Sequence, residues 1–504
     1  MEFLRRRPAL ALVALALLLG LAFQGTRGLW DPDEGRYTNV ALQILRSGDW
    51  ISLHRHEASL HFTKPPLTYW AMAASVQAFG WNTWAVRLPM ALAFVLSTFL
   101  VYRMGRVFVP ARPWLPALVY MSAPLPLLAA NYVSTDGTLA AMEALAVACW
   151  VHARFGGGGP RWIDAMWAAF GLAFLTKGPP GLLPLLAILA SRLVDHDGSP
   201  RLLRPLGLLA FAAIGFTWFG LVVARHPGLF DYFLGHEVVA RVATDTHGRS
   251  PEWYGWLKVY GPAFAFGLLP WLPLALWRHF RGGGGWPRWR HLDPASRFLW
   301  LWLLVPLLVF CLSRSRMWLY VLPLFAPAAL LIARALGERS MTTPLRWVAL
   351  GAWLALLLAF KGSLGNPPGD GSIAQGLRRN SSANLARRLE PMLPGAPGEI
   401  VFVEDKTRYG LHLYLHAQVA RVSFKAWPKS ISDSDFDMTL AQSLASAQAS
   451  RVYILKQDNE GYFLTAVQEA GQTPRRLGAL PDERGDPAQD RVVYTLADDF
   501  PIAR

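Results

Sequence analysis

Apolar and polar residues alternate along this chain in long blocks. Apolar runs fall at about 9–24, 84–102, 114–130, 138–153, 162–176, 179–194, 205–224, 256–277, 297–312, 318–335 and 346–361. A bilayer-spanning helix needs about 20 such residues, or about 17 if short. The pattern therefore predicts an α-helical polytopic membrane protein with about 11–13 transmembrane helices, the runs at 162–176 and 179–194 being the weakest.

After Lys361 the period changes. GSLGNPPGDGS reads as a linker, and the apolar stretches shorten to strand length: EIVFV at 399–403, ARVSF at 420–424, RVYIL at 451–455 and RVVYTL at 491–496. Polar segments such as 436–449 lie between them, which predicts a small C-terminal soluble α/β domain. The expected division is a membrane domain at 1–361, including an external loop at 25–83, and the α/β domain at 362–504. No internal repeat is visible.

One polar block sits between strongly apolar segments. It reads WDPDEGRYTNVALQILRSGDW from Trp30, then, after a short polar interval, HFTKPPLTYW. Asp31, Asp33, Glu34, Arg36 and Lys64 gather there, and ionisable groups beside a span are a mark of function. Asp31-Pro32-Asp33-Glu34 also predicts a helix start, with Asp31 as the cap and Pro32 at the first helical position. Tyr37, Val40, Ala41, Ile44 and Leu45 continue it as an apolar stripe, and Ser47-Gly48 closes it. A capped amphipathic helix on a membrane surface accounts for Asp31. It leaves Asp33, Arg36 and Tyr37 on one side at i, i+3 and i+4, a carboxylate oriented by a guanidinium as a general base needs.

Composition agrees with a membrane chain. The 504 residues are 53% hydrophobic and 16% charged, with 22 Trp, against about 25% charged in soluble proteins. The net charge of +15 does not indicate nucleic acid, because most basic residues lie in short loops between apolar runs. Cys149 and Cys311 lie in separate apolar runs and predict no structural disulfide. The basic, apolar N-terminus lacks a clear cleavage site and reads as an uncleaved first helix.

Arginines set the orientation. Starting from Arg5, Arg6 and Arg7, alternate loops are Arg-rich and belong inside. The external set is then 25–83, 131–137, the turn at Lys177, 225–255, 313–317 and everything after about 362. Arg314 and Arg316 break the bias, which points to a task other than topology.

DEGRY, SGDW, FTKPPLTYW and a WAVRLP start to the next span together resemble the first external loop of bacterial membrane glycosyltransferases of the GT-C class. The resemblance is nearest to the aminoarabinose transferases that modify lipid A and extends to the protein O-mannosyltransferases. It covers about residues 5–335. It implies inverting transfer of a sugar from a polyprenyl-phosphate donor, such as undecaprenyl phosphate, to an envelope acceptor. Lipid A, another glycolipid or a protein fits that acceptor. The implied location is the periplasmic face of the bacterial inner membrane, with the active site and the C-terminal domain periplasmic.

The same resemblance assigns roles. Asp33 matches the catalytic carboxylate, with Arg36 and Tyr37 holding its surroundings. Lys64 matches a lysine that neutralises the departing phosphate, and Asp136 a second acidic residue, with a helix cap as its structural alternative. Lys177, His236, Arg241, Arg314 and Tyr320 fall where the donor phosphate or sugar is bound, with anchoring at the membrane interface as the equal alternative for Lys177 and a polar surface helix as that for His236 and Arg241. Relatives carry Tyr and Glu where this chain has His61 and Thr63. The missing glutamate removes a ligand for the divalent metal ion the relatives imply, and His61 is the residue left to compensate. Two other readings compete: a multipass transporter or flippase of lipid-linked or small-molecule substrates, and a binding protein that has lost activity. Against the transporter, the ionisable groups cluster outside the spans and no inverted repeat is visible. No Walker loop, HExxH, GxSxG or paired cysteine ligand is present.

Overall fold

The computed structural model describes residues 7–195, 198–233, 235, 250–281, 289–337, 343–365, 372–428, 430–432, 434–446, 450–482, 486–497 and 499–500. They form two compact units. The first is Met1–Gln24, Lys64–Thr68 and Arg87–Gly362; the second is Gly25–Thr63, Tyr69–Val86 and Ser363–Arg504.

Every apolar run of the first unit is helical. Thr83–Phe108, Pro205–Arg225, Pro294–Leu312, Trp318–Leu336 and Pro344–Ser363 are long and apolar enough to cross a membrane. Gly255–Gly267 and Trp271–Arg281 pass the same test as a pair bent by 83°. Other runs are shorter or broken at proline: Pro8–Leu21, Trp114–Met121 followed by Pro124–Ala129, and Pro179–Leu182 followed by Leu183–Val194. Two further helices, Thr135–Arg154 and Arg161–Lys177, carry functional candidates at their ends. The chain is thus a helical protein with several spans.

The helices meet through small residues, as hydrophobicity alone cannot drive their association in lipid. Gly171 and Gly215 lie face to face, and a Cβ on Gly171 would come within 3.0 Å of the Ile214 Cβ. Around this contact runs one apolar core containing Trp150, Phe170, Phe298 and Trp302. Several arginines at or near helix ends are paired, Arg204 with Asp164, Arg297 with Asp195 and Arg334 with Asp293.

The second unit is built on a six-stranded sheet. Its strands are β3 (Glu399–Val403), β4 (Gln418–Ser423), β5 (Met438–Thr439), β6 (Arg451–Lys456), β7 (Pro474–Leu480) and β8 (Arg491–Leu496). The order is β5-β4-β3-β6-β8-β7, with β5, β4, β3 and β6 parallel and β8 antiparallel to both of its neighbours, β6 and β7. A central parallel strand is covered on both faces, which is why Ile400 to Val403 are continuously apolar. Val401 and Val403 enter one core cluster, Ile400 and Phe402 the other.

The same unit takes in the helix Asp33–Ser47 and the hairpin β1 (His54–His56) and β2 (Ser59–Leu60). Asn39 ties them together: its Nδ2 donates to the Arg55 carbonyl at 2.6 Å, and its Oδ1 meets His412 Nδ1 at 2.7 Å. Arg55 bonds Asp437 at 2.8 Å and His56 meets Glu399 at 2.8 Å. Buried, paired groups thereby tie this polar loop segment to the sheet, alongside buried apolar residues such as Val40, Leu42 and Ile44.

Candidate functional site

In the second unit the three carboxylates of DPDE have different fates. Asp31 does not cap the helix; that position is Pro32, which makes no side-chain bond. Instead the Asp31 carboxylate accepts from the Ser382 hydroxyl and, at 3.3 Å, from the Gly410 N–H. Burial pushes its pKa up to about 6, against the lowering effects of Ser382, Arg408 and Gly410. Glu34 is fully buried, taking Arg27 through both oxygens at 2.6 and 2.9 Å and the Trp30 N–H at 2.9 Å.

Asp33 alone of the three keeps some solvent access, 19% of its side chain. Arg36 holds its Oδ1 at 3.0 Å across one helical turn. The Arg36 guanidinium lies 5.7 Å from the Tyr37 ring centre, and Tyr37 packs on Tyr69 with centroids 5.7 Å apart. Gly35 between them has a steric cause: a Cβ there would run into the Asp31 carboxylate and lie 2.6 Å from the Gly410 nitrogen.

His61 is fully buried and meets the Thr63 hydroxyl at 2.9 Å. Its ring stands edge-on to Tyr69. Among the described residues no three His, Cys, Asp or Glu side chains gather as a divalent metal requires. The described residues therefore offer no such set for the metal that the resemblance implies.

In the first unit, helix Thr135–Arg154 begins at Ser134, whose hydroxyl accepts the Asp136 N–H. Ser134 thus takes the capping task, and the Asp136 carboxylate is ion-paired with Lys177. Lys177 ends helix Arg161–Lys177, where Gly178 turns the chain with φ of 70°. Its ammonium lies 4.2 Å from the centre of the Tyr320 ring. Both members of the pair are about nine-tenths buried, so their attraction is little screened.

Glu143, seven residues beyond Asp136 on the same helix, is buried and sits in the electrostatic range of Lys177 and Asp136. Sequence reasoning passed over it, although a lone carboxylate inside an apolar run is itself a signal. Lys64 is partly buried and precedes two buried prolines. Arg314 is exposed. Its neighbour Arg316 is buried and donates to the carbonyls of Ser250, Glu252 (2.9 Å) and Cys311 (3.0 Å), a clamp on the chain. His236 and Arg241 lie outside the described residues.

Comparison with known proteins follows the same lines. Residues 63–223 match the family described as dolichyl-phosphate-mannose-protein mannosyltransferase. An undecaprenyl phosphate-alpha-4-amino-4-deoxy-L-arabinose arabinosyl transferase 2 of Pseudomonas fluorescens is 34% identical over 363 residues, 68% of this chain and 63% of that one. The corresponding transferase of Pectobacterium atrosepticum is 30% identical over 72% of this chain and 65% of its own length. The chain thus spans somewhat less than two thirds of these relatives. The crystal structure of ArnT from Cupriavidus metallidurans, bound to undecaprenyl phosphate, superposes with a TM-score of 0.71 at 22% identity, covering 96% of this chain and 97% of that one. The chain is similar in sequence to the aminoarabinose transferases over about two thirds of its length, and its fold is that of the GT-C class of membrane glycosyltransferases.

Proposed function

We propose that the protein is an inverting glycosyltransferase that moves a sugar from a polyprenyl-phosphate donor to an envelope glycolipid or protein. Its site lies at the periplasmic face of the bacterial inner membrane. The acceptor hydroxyl attacks the anomeric carbon as the bond to the carrier phosphate breaks on the opposite side. Asp33 takes the hydroxyl proton, and the polyprenyl phosphate leaves as the anion. Lys64 neutralises charge on that phosphate, and such preorganised charge is often a large catalytic term.

Arg36 and Tyr37 keep the Asp33 carboxylate in one orientation. Asp136, Lys177 and Tyr320 act as a set: Asp136 aims the ammonium, and Tyr320 limits its freedom while offering its hydroxyl to the donor. Arg314, which is exposed, supplies positive charge for a phosphate; His236 and Arg241 are given the same donor-binding task from the sequence, while His61 supports the loop through Thr63.

One observation carries the proposal. Of the three adjacent carboxylates, only Asp33 is both held by a cation and open to solvent, while Asp31 and Glu34 are buried in bonds. The names of the similar transferases supply the donor and sugar class.

The test is mass spectrometry of envelope glycolipids and glycoproteins from cells with the protein, without it, and with Asp33→Asn at normal expression. A sugar mass absent from both deficient strains is expected, and the molecule that loses it identifies the acceptor. Identical spectra with the variant folded and present would overturn the proposal and favour transport.

A further inference from the structure

Away from those residues, the first unit holds a large apolar groove of about 850 Å³. It runs between helix Trp271–Arg281 and helix Pro344–Ser363, and the last turn of helix Phe325–Leu336 reaches it at Leu336. The 83° bend before Trp271 turns that helix away from the line of Gly255–Gly267. Trp271, Trp277, Leu350, Trp353 and Leu356 line the walls.

Two observations make this a built site. The aromatic walls are locked from behind: Trp271 Nε1 donates to the Ser122 hydroxyl at 2.8 Å, and Trp353 Nε1 to the Ser122 carbonyl at 2.9 Å. Both charged residues that line it are arginines, Arg278 in the last turn of one helix and Arg346 in the first turn of the other. A passage for bulk hydrocarbon would need no cations, whereas an anionic head joined to a long apolar tail needs both features. Guanidinium groups favour phosphate through forked hydrogen bonds, and basic pockets between membrane helices are recognised sites for anionic lipid head groups. The volume falls within the ordinary range for ligand sites.

We propose that this groove binds one acyl chain of an anionic glycerophospholipid, with the lipid phosphate held by Arg278 and Arg346. The ligand is a constituent of the membrane itself and takes no part in sugar transfer. It wedges the bent helix pair against helix Pro344–Ser363 and so stabilises the first unit.

The test uses the purified full chain, delipidated in neutral detergent and titrated with dioleoyl phosphatidylglycerol or dioleoyl phosphatidylcholine, with binding read by native mass spectrometry and by the shift in Tm. Phosphatidylglycerol is expected to bind about tenfold or more tightly and to raise Tm, with the preference lost in R278Q/R346Q. Ala349→Trp, which fills the groove and keeps both arginines, is expected to abolish binding, so the proposal stands or falls even where the double variant does not fold. Equal binding of the two lipids would overturn it. So would a preference unchanged in either variant, or displacement of phosphatidylglycerol by equimolar undecaprenyl phosphate.

Discussion

The ammonium of Lys177 lies 4.2 Å from the centre of the Tyr320 ring while its charge is paired with Asp136. A partly desolvated cation over an aromatic face gains about 0.5–2 kcal/mol from the ring quadrupole. Tyr320→Phe should keep that gain and lose only the hydroxyl, whereas Tyr320→Leu loses both. If the ring orients Lys177 for the donor phosphate, Leu should raise KM for the donor well beyond Phe. Steady-state kinetics on the two variants separate the effects.

Arg36 holds Asp33 with one hydrogen bond at 3.0 Å across a helical turn. Lysine keeps the charge but not the planar fork. Arg36→Lys should lower kcat by about one order of magnitude at nearly unchanged stability. Asp33→Asn, by removing the base, should lower kcat by about 10²-fold or more. Equal loss in the two variants would place Arg36 in direct chemistry.

Gly35→Ala tests the packing that presents Asp33. The added methyl collides with the Asp31 carboxylate and approaches the Gly410 nitrogen. Overpacking of this kind costs about 1–3 kcal/mol, so Tm should fall by several degrees and activity with it. Gly48→Ala, at φ of 71° with nothing within 4 Å of the added methyl, should cost about 1–2 kcal/mol through the left-handed backbone alone and leave activity intact.

Stability of the second unit should depend on pH through two histidines of opposite sign. Burial pulls the His56 pKa down, but the Glu399 bond and the charges of Asp437, Glu399 and Glu57 outweigh it, so the net shift is upward. Its contribution is full below the ordinary histidine value near 6.5 and is lost as pH rises through the raised folded value. His412 is driven down to about 3, first by burial and then by Arg46, His416 and His56. Its contribution is present above about 6.5 and is lost as pH falls. Thermal unfolding of His56→Gln should lose the alkaline decline and keep the acid one.

In the first unit, Lys361 is buried near the end of its helix and donates to the carbonyls of Leu19 (2.5 Å) and Gly20 (3.2 Å). Those carbonyls end helix Pro8–Leu21, where a cation is favoured by the helix dipole. Lys361→Met leaves them without that donor and should cost about 1–3 kcal/mol, read as a lower Tm in detergent. An unchanged Tm would show that other groups satisfy both carbonyls.

What the sequence disclosed followed from period and length. Each apolar run became helix, and the strands at 399–403, 451–455 and 491–496 lie within a residue of their expected bounds. PRRLGAL at 474–480 escaped notice because an edge strand with one buried residue has no apolar alternation to read. Asp31 was misread as a cap because local spacing cannot reveal that Ser382 and Gly410, more than three hundred residues away, accommodate its carboxylate. The packing of 25–63 with the tail was hidden for the same reason, since a loop's composition does not name its contacts. Glu143 offered a signal that was overlooked.

The central claim is transfer from a polyprenyl phosphate that depends on Asp33, and reconstitution tests it most directly. Purified protein in proteoliposomes is given a polyprenyl-phosphate sugar and an envelope lipid and protein fraction, and free polyprenyl phosphate and acceptor mass are followed together. The account predicts that both rise in step for the native chain and that Asp33→Asn abolishes both. Transfer at the native rate by the Asn variant, or sugar appearing in the lumen with no acceptor gaining mass, would contradict it.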